Sequence, residues 1–149
     1  MSGSGTLNTE KGGPSIELTD PKNSRRTIYA TVHRREMSDV LLSHDFPAPT
    51  AHSPRRAQTT TALQGLYALN GPLLQSQAEA LAARLNQQTT KDDERVETAY
   101  RLLFARRPTG TELEIALSFL SSPGNRNAVE RWQQYAHVLL ASNEFLYLQ

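Results

Sequence analysis

The chain has 149 residues, 16 basic and 15 acidic side chains and a formal net charge of +1, so no global field draws it to nucleic acid or to an anionic membrane. Hydrophobic residues make up 38% and mean hydropathy is −0.54, enough for one modest core with an extended portion beside it. The lack of cysteine excludes disulfides, thiolate metal sites and covalent haem attachment within the chain, and no run of about 18 apolar residues offers a membrane span.

The opening MSGSGTLNTEKGG carries no apolar stretch of the signal-peptide kind. The expectation is a cytosolic protein or a piece of a longer exported one. Residues 1–24 are rich in Gly, Ser, Thr, Asn and Pro, with a turn at Gly12-Gly13-Pro14, and read as a flexible arm or linker. Thr27 to Val32 holds strand-forming residues and reads as a short extended segment. Glu36 to Leu42 has room for about two helical turns. Pro47, Pro49 and Pro54 make the next stretch an irregular connection.

From there the pattern is helical. Leu63, Leu66, Tyr67 and Asn70 lie at helical spacing behind the N-cap candidates Thr59, Thr60 and Thr61. Asn70-Gly71-Pro72 ends this helix, with Asn or Gly suited to a left-handed cap and Pro72 to the first turn of the next. Leu74, Ala78, Leu81 and Leu85 form the second stripe, with Gln75, Gln77, Glu79 and Arg84 on the remaining surface. Asp92-Asp93-Glu94 places negative charge at the start of a third helix, whose inner face is Val96, Ala99, Tyr100 and Leu103. Thr109 and Glu112 have capping-box spacing for a fourth, with Leu113, Ala116, Leu117 and Leu120 inward. The fifth carries Trp132, Tyr135, Ala136, Leu139 and Leu140, and the closing FLYLQ docks back on the bundle. The predicted fold is mostly α: a small bundle of about five helices over residues 25–149, with an irregular, partly extended N-terminal arm. Stripes this short stabilise helices only when packed together.

The chemistry-bearing residues are sparse. His33, His44, His52 and His137 match no metal-ligand spacing. Consecutive acids at 92–94 point in different directions around a helix start and do not make an acid/base pair. There is no Gly-x-Ser-x-Gly, phosphate-binding loop or dinucleotide fingerprint. No catalytic residue and no metal ligand is nominated. Arg25, Arg26, Arg34, Arg35, Arg55 and Arg56 form three pairs that suit a phosphate, a sulfate or an acidic polymer. The competing reading, which we favour, is ion pairing with Glu36, Asp39 and Asp45 and with helix-end carbonyls.

Several pieces resemble a known family when taken in order: GGPS at 12–15, RRTIY at 25–29 and DFPAP at 45–49. Arg56, Thr59-Thr60, Gln64, NGP at 70–72 and the Ala78/Leu81/Ala82/Arg84/Leu85 pattern follow. AYRLLFARRPTGTEL at 99–113 and LLASNEFLYLQ at 139–149 complete the set. Together they resemble the C-terminal part of the cytochrome-associated planctomycete family known as domain of unknown function 1553. Ala105 departs from it, standing where a glycine usually precedes the arginine. Thr59, Thr60, Gln64, Asn70, Arg84, Arg106 and Glu144 are the structural motif residues this resemblance picks out.

The resemblance implies context more than activity. It implies the tail of a large exported, extracytoplasmic protein, with upstream domains of the same chain as partners and haem c held, if anywhere, in an upstream region. The leading functional expectation is a helical module without catalysis, packing against those domains. The alternative is part of a redox or hydrolytic enzyme acting on anionic, sulfated polysaccharide, with most of its active site elsewhere. Nucleic acid is the least favoured partner.

Overall fold

The computed structural model describes residues 1–20, 23–33, 35–48, 50, 52, 61–122 and 127–147. Among these residues the architecture is all-helical. A 3-10 turn at Thr27–Tyr29 precedes α1 (Asp39–Ser43), α2 (Ala62–Asn70), α3 (Pro72–Gln88), α4 (Asp92–Phe104), α5 (Gly110–Ser121), α6 (Ala128–Leu140) and α7 (Asn143–Leu146). The five longer helices are those expected from the periodicity; α1 is the short helix expected after Glu36, and α7 is a single turn in the closing segment.

Local chemistry sets the helix ends. Thr109 and Glu112 form the expected capping box of α5, and Thr61 and Gln64 form a second one at α2. Asn127 Oδ1 accepts from the Glu130 amide (2.9 Å) to start α6, and Ser142 caps α7. Asp92, Asp93 and Glu94 occupy the first turn of α4, where the helix dipole favours them. Ser38 caps α1, so that helix begins at Asp39, three residues later than the Glu36 expected.

α3, α4, α5 and α6 enclose the core: Ala78, Leu81, Ala82, Leu85, Val96, Ala99, Tyr100, Ala116, Leu120, Trp132, Tyr135, Ala136, Leu139 and Leu140. α3 lies most extensively along α6. Leu81, Leu85 and Val96 are the largest fully buried side chains. Trp132 meets Tyr135 edge to face at 5.7 Å, and its indole Nε1 donates to Asp92 Oδ1 (3.1 Å). Arg95 Nη1 donates to the same carboxylate oxygen (3.0 Å). The first turn of α4 is thereby pinned to α6.

Four expectations are corrected. Residues 27–29 form a 3-10 turn rather than a strand; extended pairing is confined to isolated bridges, Ile16 with Ala30 and Asn8 with Arg25. Gly71 is extended (φ −70°), not left-handed. Its amide donates to Tyr67 O at 2.7 Å, and a Cβ there would sit 2.5 Å from that oxygen, so glycine is needed for closeness, not for φ. Gln77, expected on the surface, is buried at 8% exposure. Leu63 and Leu66 face outward, as described below.

The reason for Gln77 lies in the first residues of the chain. Ser4 Oγ and Thr6 Oγ1 donate to Gln77 Oε1 (2.5 and 2.8 Å). Arg84, two turns along the same helix, donates through Nη1 to Gly3 O (2.7 Å). A buried amide is tolerated because it is hydrogen-bonded, and the same bonds hold residues 2–6 against α3.

Candidate functional site

The densest polar cluster sits where α4 turns into α5. α4 ends on Ala105, whose backbone is left-handed (φ 56°, ψ 22°), and the next residue, Arg106, lies between two carboxylates. Its Nη1 and Nη2 donate to Glu112 Oε2 (2.9 Å) and Oε1 (2.8 Å). Its Nε and Nη2 donate to Glu144 Oε1 (2.7 Å) and Oε2 (2.8 Å). The guanidinium carbon lies 5.1 Å from the centre of the Tyr100 ring and 5.7 Å from that of Phe104. One planar fork therefore ties α4, α5 and α7 together, which a lysine's single ammonium does not reproduce.

The electrostatics follow the geometry. The hydrogen bonds from Arg106, then that from the Thr109 amide, hold the Glu112 carboxyl at about 2. Glu144 is likewise lowered by its bond to Arg106, and the two carboxylates raise the arginine further. A carboxylate pair suggests general acid–base chemistry only when one member keeps a proton. Here both are ionised and both are occupied by the same cation. The cluster is a clamp.

The other described motif residues are also engaged with the chain itself. Arg25 Nη1 donates to Pro14 O (3.0 Å), and Nη2 donates to Gly12 O. Its guanidinium stacks 4.0 Å over the Tyr29 ring. The Gly12 amide donates to the Tyr29 hydroxyl (3.4 Å), and both Gly12 and Gly13 have positive φ, so GGPS and RRTIY wrap one another. Gln64 Nε2 donates to Ser43 O (2.9 Å), linking α2 to α1, and Asn70 Nδ2 donates back to Leu66 O (3.1 Å). Arg26 and Arg35 are exposed. Arg34, Arg55, Arg56, Thr59 and Thr60 lie outside the described residues, so the arginine pairs are not brought into one described site.

Two surface features were not legible in the sequence. The first is the outer face of α2, where Leu63, Leu66 and Leu69 are 70%, 57% and 58% exposed. The second is an apolar cleft of about 610 Å³ among the 3-10 turn, α1, α2, α3 and the α7 end, with Tyr67, Leu74, Phe46 and Leu146 in its wall. His44 meets Tyr67 edge to face at 5.5 Å in the same cleft, and its Nδ1 lies 2.8 Å from Val40 O. Among the described residues no three His, Cys, Asp or Glu side chains gather as metal ligands, and no helix is long and apolar enough to cross a membrane.

These features define a small all-α domain whose polar clusters join one stretch of its own chain to another. The chain matches the PSD1 family, a protein of unknown function also called DUF1553, over residues 1–120. It belongs to that family, in agreement with the resemblance read from its motifs. No curated protein and no solved structure matches it.

Proposed function

We propose that this chain is a helical packing module without catalysis, seated against other domains of a large exported protein through the outer face of α2. The observation that carries this reading is the leucine row itself. Leu63, Leu66 and Leu69 follow one another at i, i+3 spacing, all more than half exposed. Scattered apolar residues on a surface need no explanation, but a contiguous row marks a surface meant to be covered. In the Arg106 clamp both carboxylates are occupied by one cation, which leaves that cluster no free acid or base. Placement in a multidomain, extracytoplasmic protein rests on the resemblance of the motif pieces.

Sedimentation velocity over a concentration series tests it. The wild-type chain is expected to self-associate through the uncovered row. A Leu63→Ser, Leu66→Ser, Leu69→Ser variant is expected to run as a monomer while keeping its helical circular dichroism. A wild-type chain that stays monomeric and melts cooperatively at high temperature defeats the proposal.

A further inference from the structure

We propose that the cleft beside α2 is a binding site for a small, uncharged, mainly apolar molecule carrying one or two hydrogen-bonding groups. Three observations lead there. Its volume, about 610 Å³, lies within the range of roughly 300–1,000 Å³ in which small ligands are held. Its wall comes from six separate parts of the chain, Leu18, the 3-10 turn, α1, α2, α3 and the α7 end, so it is concave and not a flat docking face. Finally, none of the described side chains lining it is an aspartate, glutamate, lysine or arginine.

That last point determines the ligand chemistry. A charged sugar or phosphate would be desolvated there with no carboxylate, ammonium or guanidinium partner among the described lining residues, at a high cost. Beside His44 and Gln64, the wall offers hydroxyl groups. Thr27, Tyr67 and Tyr147 line the cleft, and burial pushes the Tyr67 phenol up, further from ionisation. These hydroxyls suit a carbonyl or ether oxygen on a flat apolar body. The His44–Tyr67 edge-to-face pair adds an aromatic wall for such a body.

Titration of the full chain with Nile red, a neutral aromatic dye with one carbonyl, tests the site by blue-shifted emission. The expected result is one saturable site per chain. Thr27→Trp, at an exposed position of the 3-10 turn, should fill the mouth and weaken binding at least about tenfold. Tyr67→Phe keeps the shape, removes one hydroxyl and should weaken binding about three- to tenfold, which preserves the test if the tryptophan variant misfolds. Ile115→Ser, on the exposed surface of α5, should leave binding unchanged. Emission that does not saturate, that both cleft variants leave intact, or that rises only with self-association in sedimentation overturns the proposal.

Discussion

Ala105 holds a left-handed backbone at the C-cap of α4, a conformation that costs an L-residue with a Cβ roughly 1–2 kcal/mol. Glycine is the usual occupant of that position in helix C-caps, and the motif pieces already mark Ala105 as a departure from the family's usual glycine. The strain persists because Arg106, one residue on, is held by two carboxylates. Ala105→Gly is therefore expected to stabilise the protein. The relief is partly offset by glycine's greater freedom in the unfolded chain, leaving about 0.5 kcal/mol. Urea unfolding should show a higher midpoint at unchanged slope. An unchanged or lower midpoint means the backbone is not strained there. Asp45 is the other described non-glycine residue with positive φ (55°), but aspartate tolerates that region better than alanine, so no comparable gain is expected.

At the scale of elements, the clamp converts three short helices into one unit, and its sign with pH can be worked out. Glu112 is ordinarily near 4.5 and is held at about 2 in the folded protein. A lowered carboxyl contributes its stabilisation in full above its unfolded value and loses it as pH falls through the folded one. Glu112→Gln keeps the capping-box geometry but removes the charge facing Arg106. It is expected to destabilise by about 0.5–1 kcal/mol at pH 7, the scale of a partly exposed ion pair. The difference from wild type should narrow between pH 4.5 and pH 2, followed by chemical denaturation at three pH values. A gap independent of pH would assign the effect to packing instead of charge. The helices themselves were legible in the sequence. Thr109 and Glu112, Asp92 to Glu94 and the Trp132–Leu140 stripe each carry a local signal, because caps, dipoles and periodicity act over a few residues. The bonds from Arg106 to Glu144 and from Ser4 to Gln77 span 38 and 73 positions. The sequence marked Arg106 and Glu144 as motif residues but could not pair them, and Gln77 read as surface because no local pattern announces a distant partner.

Across the whole molecule, apolar burial is unevenly distributed. The largest fully buried side chains, Leu81, Leu85 and Val96, belong to α3 and α4, with Ala116 and Leu120 of α5 and Trp132, Tyr135, Ala136, Leu139 and Leu140 of α6 closing over them. None of the described side chains of α2 is buried, although its leucines have the spacing of a core-facing helix. Periodicity shows that a helix has an apolar face; it does not show whether anything in the same chain covers it. α2 is held by its capping box, the Gln64–Ser43 bond (2.9 Å) and neighbouring contacts with α3 and α6. Local opening is governed by the burial lost in that opening, so regions with little buried apolar area open well before the whole protein does. Native-state hydrogen exchange should therefore show amides in Ala62–Asn70 exchanging at least about a hundredfold faster than those near Leu81, Val96 and Leu139, whose exchange requires global unfolding. If the leucine row is the surface by which the module is seated, covering it must also raise protection in α2, because the buried area then includes Leu63, Leu66 and Leu69. Protection of α2 equal to that of α3 in the isolated chain would mean that the row is already covered, and the packing-module reading would lose the observation it rests on.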